Sequence, residues 1–287
     1  LDSYTAGMNQ EVRYMPLKLL VFGAHPDDCD IQTGGLAALY TKHGHKVKFV
    51  SMTNGDAGHH QMGGASLAQR RNAEAQAAAE VIGIDYQLLD NGDGRLEPTL
   101  ENRYQTIELI RQFKPDLVMT HRPNDYHPDH RYTSIIVQDA AYMVTVPNIC
   151  PFVRHLDRNP IIMYTHDRFS KPYPFQPNVA VNIDSVIEQK LDMLHCHESQ
   201  FYEWLPYNAG RLDEVPKNPI DRRKWLAQQR LGQFKHIADE HRDLLIKLYG
   251  QQKGGNIQYA EAFETSEYGL HLTTEKREEL FLSVSIT

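Results

Sequence analysis

Short apolar runs alternate with amphipathic stretches along the first half of the chain. The run Leu19 to Phe22 has no polar alternation, which is typical of a strand whose two faces are both covered. The pattern predicts strands at residues 18–23, 47–53, 86–90 and 117–121, and helices at 32–43, 66–83, 99–113 and 131–145. This βαβ order predicts an α/β fold with a doubly wound, mostly parallel, Rossmann-like sheet.

Beyond residue 150, the alternation of predicted strands and helices is less regular. Further strands are predicted at 161–165 and 179–183, helices at 185–198 and 219–249, and a flexible turn from Gln251 to Asn256. The sequence has no clear linker and no internal repeat. We therefore predict a single domain, 1–287, with an N-terminal extension (1–15), a core (16–150) and a C-terminal strand and helix elaboration (151–287).

The composition limits the classes of binding partner that we expect. A hydrophobic content of 41% in 287 residues is sufficient for a packed core. The net charge of -7 is spread over both halves without a basic stripe, which disfavours nucleic acid and anionic membranes and favours a small-molecule substrate. No apolar run approaches the ~18 residues of a membrane span. The sequence leaves a homo-oligomer open.

The three cysteines, Cys29, Cys150 and Cys196, are far apart and have no CxxC spacing. This disfavours both a disulfide framework and a cysteine zinc site, and it favours a reducing compartment. The expectation is a cytoplasmic protein. Because the chain begins with Leu1 instead of Met, its N-terminus excludes neither secretion nor a non-native origin for residues 1–7.

Ionisable residues follow two of the predicted strands directly. Ala24-His25-Pro26-Asp27-Asp28 comes after the first strand, and His127-Pro128-Asp129-His130 comes after the fourth. In open α/β sheets, ligands bind outside the carboxyl ends of the strands. Because both loops leave the same edge of the sheet, we expect them to converge.

His25, Asp28 and His130 then offer two imidazoles and one carboxylate. This is the ligand set of a catalytic Zn²⁺ site with an open fourth position, and Fe²⁺ or Co²⁺ would also bind. Each cluster alone would equally fit solvated histidines or helix caps, and Asp129 would either orient a ligand imidazole or cap its helix. The joint occurrence of both clusters after strands favours the metal.

The two motifs resemble the signature motifs of the LmbE-like (PIG-L) N-acetylglucosaminyl deacetylases. Residues 18–135 carry most of the resemblance. Four other stretches also agree with it: Thr53-Asn54-Gly55-Asp56-Ala57-Gly58, Arg71-Asn72-Ala73-Glu74-Ala75, Asp93-Gly94-Arg95-Leu96 and His197-Glu198-Ser199-Gln200. The resemblance implies zinc bound by the three residues above, with Asp27 as general base. It also implies that His127 stabilises the oxyanion or protonates the leaving amine.

Three further residues are predicted to bind substrate. Arg71 resembles the family's substrate-binding arginine, although an i,i+3 ion pair with Glu74 would also explain it. Asp93 can accept hydrogen bonds from sugar hydroxyls, or it can belong to a turn at residues 91–94. His197 is expected to face the pocket.

We therefore predict a zinc-dependent hydrolase that removes the N-acetyl group from an N-acetylated amino sugar or glycoconjugate with metal-activated water. One alternative is a related amidase acting on another acyl or thiol-conjugate amide. Another is a non-catalytic carbohydrate-binding protein that retains the metal. A nucleotide-binding protein is disfavoured, because Gly34-Gly35 does not form GxGxxG and no GxxxxGK[ST] motif occurs.

Overall fold

The computed structural model describes residues 15–285, so residues 1–14 of the predicted N-terminal extension lie outside the described part. One sheet contains seven strands in the order β3-β2-β1-β4-β5-β7-β6. The first five strands pair in parallel, and β7 is antiparallel to both β5 and β6. The strands are β1 (Lys18–Gly23), β2 (Lys46–Ser51), β3 (Asp85–Leu88), β4 (Leu117–Thr120), β5 (Ile161–Thr165), β6 (Val179–Asn182) and β7 (Ala260–Gly269). The predicted Rossmann-like α/β fold is confirmed.

Helices cover both faces of this sheet. Leu19 and Val21 of β1 face one buried core, and the alternate residues Leu20 and Phe22 face another. Burial on both faces explains why the strand shows no polar alternation. The helices are α1 (Asp28–Lys42), α2 (Gly64–Ile82), α3 (Leu100–Phe113), α4 (Pro128–Met143), α5 (Ile187–Cys196), α6 (Leu205–Asn208), α7 (Pro219–Glu240), α8 (Arg242–Tyr249), α9 (Gln251–Asn256), α10 (Thr274–Arg277) and α11 (Ser283–Ser285).

The strand order reverses between β1 and β4, which creates the crevice where such folds bind ligands. Both predicted motifs lie there, at the starts of helices. The first helix begins at Asp28, earlier than predicted, and α4 begins at Pro128. Proline suits this first position because it has no N–H to leave unpaired and its φ is already helical.

The C-terminal part extends the same sheet. Strand β7 was not predicted, because its glutamates interrupt the apolar pattern. In the structure, Glu261 forms a buried ion pair with Lys190, and Glu264 lies 3.4 Å from the guanidinium of Arg122. The charges of Glu261 and Glu264 suggest an exposed segment in the sequence, but in the structure Lys190 and Arg122 neutralise them.

Two other predictions for this part need correction. The predicted helix at 219–249 is divided at His241 into α7 and α8, and the predicted turn at 251–256 is helix α9. Helix α9 packs closely on α8 because Gly254 has no side chain: a Cβ there would lie 2.5 Å from the carbonyl oxygen of Leu245. In the described part of the chain, none of the helices has the length and apolar character needed to cross a membrane.

Candidate active site

Three side chains from the loops after β1 and β4 converge on one point. The Nδ1 atom of His25 lies 3.3 Å from Asp28 Oδ2 and 3.3 Å from His130 Nε2, and the last two atoms lie 3.4 Å apart. In a tetrahedral zinc site with metal–ligand distances of about 2.0–2.1 Å, ligand atoms are about 3.3 Å apart. The triangle therefore has the size of one face of a zinc coordination tetrahedron.

Backbone groups hold the Asp28 carboxylate in this position. Its Oδ2 accepts hydrogen bonds from the N–H groups of Ala24, at 3.0 Å, and His25, at 2.7 Å. Burial opposes ionisation of this carboxyl, but the neighbouring imidazoles of His130 and His121 hold its pKa well below the ordinary value. The carboxylate is thus in the charged form that a metal ligand requires.

The second nitrogen of each of the two imidazoles lies next to carboxylates. His25 Nε2 is 3.2 Å from Asp93 Oδ1 and 3.4 Å from Asp129 Oδ2, and His130 Nδ1 is 3.1 Å from Asp125 Oδ2. Burial lowers the pKa of His25, but the carboxylates of Asp129, Asp28 and Asp93 outweigh it and raise that pKa well above its ordinary value. Metal-binding histidines are typically oriented by a carboxylate in this way.

Asp129 does not cap its helix. His127 is the N-cap of α4 and accepts a hydrogen bond from the N–H of Asp129, at 3.2 Å. The Asp129 carboxylate instead accepts from the N–H groups of Gly94, at 2.7 Å, and Leu96, at 3.3 Å. It therefore fixes the loop that carries Asp93 beside His25.

His121 also belongs to this cluster and was missed in the sequence. Its Nε2 lies 3.3 Å from Asp28 Oδ2, and its ring stacks on His130 with centroids 4.0 Å apart. Burial and the neighbouring His130 lower the pKa of His121, which favours its neutral form. The sequence pattern placed this residue inside the fourth strand, but β4 ends at Thr120, so His121 is the first residue beyond the strand end.

The side chain of Asp27 is buried and bonded to Arg71. The Arg71 guanidinium donates to Asp27 Oδ1 at 2.7 Å and lies 3.6 Å from Asp93 Oδ2. Glu74 is paired with Arg70 instead, at 3.1 Å, so the alternative i,i+3 pair with Arg71 does not form. Arg71 is thus a residue of the site, in contact with the predicted general base.

The ring of His127 lies at the rim of the same cluster. It packs edge-on against the His25 ring, with centroids 4.6 Å apart. Because its Nδ1 accepts from the Asp129 N–H, the neutral ring carries its proton on Nε2. Burial and the imidazoles of His25 and His130 lower the pKa of His127. Its Nε2 has no hydrogen-bond partner within residues 15–285 and is available to a ligand.

The prediction that His197 faces the pocket is wrong. His197 is fully buried, and its Nε2 lies 3.1 Å from the carboxylate of Asp30 inside the helical layer. The backbone after α5 instead directs Gln200 of the same motif to the site, where its amide donates to the carbonyl of Gly58 at 3.0 Å. The sequence located the motif but not which of its side chains faces the site.

The site opens into a cavity of about 460 Å³, a volume that accommodates a small-molecule ligand. The loops after β1, β2, β3 and β4 form one part of its wall. Helical residues from the C-terminal part form the rest, and among them only Gln200 belongs to a stretch that resembles the family. The lining residues include His25, Asp27, Asp28, Gly58, Arg71, Asp93, Tyr126, His127, Gln200, Trp204, Leu205, Asn208 and Arg230.

Comparisons with known proteins show the family and the fold of the chain. The family model for GlcNAc-PI de-N-acetylase (PIG-L) matches residues 20–141. A diacetylchitobiose deacetylase of Thermococcus kodakarensis is 33% identical over 207 residues, which are 66% of this chain and 74% of that protein. A 4-oxalmesaconate hydratase of Pseudomonas putida is 24% identical over 201 residues, covering 67% and 78%. The structure of N,N'-diacetylchitobiose deacetylase from Pyrococcus horikoshii shares the fold, with a TM-score of 0.67, 23% identity and coverage of 87% and 83%.

Proposed function

Because the chain belongs to the GlcNAc-PI de-N-acetylase (PIG-L) family, we propose that it is a metal-dependent hydrolase that removes the N-acetyl group from an amino sugar or glycoconjugate. The observation that carries this proposal is the triangle of His25, Asp28 and His130, with Asp27 and His127 lining the same cavity. The relative from Thermococcus supports an acetylated sugar as the substrate class.

The three ligands fit Zn²⁺ in donor type and spacing. His25 and His130 would each supply an imidazole nitrogen, and Asp28 a carboxylate oxygen. Bound there, Zn²⁺ would polarise the amide carbonyl and lower the pKa of a water molecule to about 7. The same donors also accept Fe²⁺ or Co²⁺.

Asp27 and His127 supply the proton transfers that amide hydrolysis requires. The Asp27 carboxylate, oriented by Arg71 through Oδ1, removes a proton from the attacking water. His127 presents Nε2–H to the oxyanion. The departing amine nitrogen must be protonated to leave, and it receives the proton that Asp27 removed from the water, either directly or through His127 as an imidazolium. A protein that only bound sugar would need neither group, which disfavours the non-catalytic alternative.

Acetate release is the decisive measurement, because one relative of this chain is named as a hydratase rather than a deacetylase. The test is acetate release from N-acetylglucosamine and diacetylchitobiose by zinc-loaded protein. Asp27→Asn is expected to lower kcat by about 100-fold or more, the usual effect of losing a general base. Asp213→Asn, which changes an exposed carboxylate outside the cavity, is the matched control. The proposal would be overturned if neither substrate released acetate, or if Asp27→Asn and wild type released it at equal rates.

A further inference from the structure

We propose that the cavity contains a second subsite, centred on Arg230, that binds an acidic group of the substrate. Arg230 lies on α7, well beyond residues 20–141 that the family model matches. It lines the same cavity as His25, Asp27 and Asp28. The inference rests on the proposed deacetylase function and narrows its substrate to acetylated amino sugars that carry a carboxylate or a phosphate.

Among the described residues, no carboxylate lies within ion-pair distance of the Arg230 guanidinium. In the part of the chain that the structure describes, it forms no hydrogen bond and no ion pair, and its contact is with the ring of Phe201, 4.6 Å from the centroid. Arg71, the other arginine in the cavity wall, is instead bonded to Asp27 at 2.7 Å. The cavity therefore contains one arginine that is neutralised by the protein and one that is not.

An unpaired guanidinium in a partly enclosed site is unfavourable for the free protein. Burial lowers the pKa of Arg230, and the charge of Asp27 opposes this effect. Arginine nevertheless remains protonated in proteins, so the charge persists. An anion of the substrate would restore the missing partner, and the planar fork of the guanidinium matches the two oxygens of a carboxylate or phosphate.

The neighbouring residues suit a sugar conjugate rather than a free anion. Trp204 and Asn208 line the cavity together with Arg230, and they offer an apolar ring surface and an amide. Aromatic side chains combine a large apolar face with a polar edge, a combination that suits a sugar ring. An acetylated sugar with its amide at the metal ligands would occupy the same cavity that Arg230 lines.

The experiment compares kcat/KM for acetate release from N-acetylglucosamine, N-acetylglucosamine 6-phosphate and N-acetylglucosaminyl malate. Wild type should prefer at least one acidic substrate to the neutral one by about 10- to 100-fold, the range for hydrogen bonds to charged groups. Arg230→Gln should abolish most of that preference, and Arg230→Lys should retain part of it. Lys224→Gln removes an exposed charge from the same helix and should leave the preference intact. The better acidic substrate identifies the anion as phosphate or carboxylate.

Failure of this inference is distinguishable from failure of the proposed function. Equal preference in wild type and Arg230→Gln, with acetate released from the substrates, overturns the subsite alone. If no substrate releases acetate, calorimetric titration still tests the subsite by comparing the affinities for glucosamine and glucosamine 6-phosphate. Tighter binding of the phosphate that is lost in Arg230→Gln supports the subsite, and equal binding of the two sugars overturns it.

Discussion

Substitution of Gly55 by alanine should disturb the catalytic site without changing any group in it. Gly55 has φ +71°, and a Cβ at this position would lie 2.6 Å from Nη1 and 2.8 Å from Cδ of Arg71. The buried Arg71 side chain would have to move. Its bond to Asp27 is 2.7 Å long and would be lost or lengthened.

Gly83→Ala is the matched control for the backbone effect. Gly83 has φ +70°, nearly the same as Gly55, but a Cβ there would meet no atom within 4 Å. The left-handed backbone should cost each variant about 1 kcal/mol. Gly55→Ala should lose about 1.5–3 kcal/mol more, the contribution of a hydrogen bond between charged groups. For a chain of this size, each kcal/mol lowers Tm by about 2–4 °C.

Thermal unfolding and acetate release should both be measured on the two variants to test whether the Arg71–Asp27 bond is disturbed. Gly55→Ala should have the lower Tm and a kcat/KM reduced by about 10- to 100-fold, because every 1.4 kcal/mol lost in the transition state is about tenfold in rate. Gly83→Ala should keep the wild-type kcat/KM. Equal Tm and equal activity of the two variants would refute the role of Arg71 as the residue that positions Asp27.

Two further predictions follow from buried groups. Asp125→Asn should weaken zinc binding by about 10- to 100-fold, because its carboxylate lies 3.1 Å from His130 Nδ1; an unchanged Kd in a titration against a competing chelator would contradict this. Burial and the nearby His241 lower the pKa of His166 to about 4, from an ordinary value of 6.5. The unfolded chain therefore binds more protons, and the free energy of unfolding should fall by about 3 kcal/mol as pH falls from 7 through 4. In urea unfolding, His166→Asn should lose most of this pH dependence, and an unaltered dependence would show that another group causes it.

The sheet and the convergence of the two motifs could be predicted because their signals are local. Uninterrupted apolar runs mark buried strands, and ionisable residues directly after such runs mark the ligand edge of the sheet, as for His25 and His130. His121 was missed because the predicted strand extended one residue beyond the end of β4 at Thr120 and therefore included it. Strand β7 was also missed, because Glu261 and Glu264 are paired with Lys190 and Arg122, partners distant in sequence.

The remainder of the site depends on contacts between distant residues. Arg71 bonds Asp27 on another element, while its sequence neighbour Glu74 pairs elsewhere. The direction of His197 was set by its buried partner Asp30, which no local pattern signals. Arg230 lines the cavity because α7 packs beside it, and no local sequence pattern signals this contact. The residues that contact substrate are therefore less predictable from sequence than the position of the two motifs.

Titration of metal-free protein with Zn²⁺, with acetate release recorded at each step, tests most directly whether His25, Asp28 and His130 hold one catalytic metal ion. Activity should rise in proportion to zinc and reach its maximum at about one ion per chain, as three converging ligands imply. Asp28→Asn should neither bind this ion tightly nor gain activity. Full activity without metal, or zinc bound equally tightly by Asp28→Asn, would contradict the account.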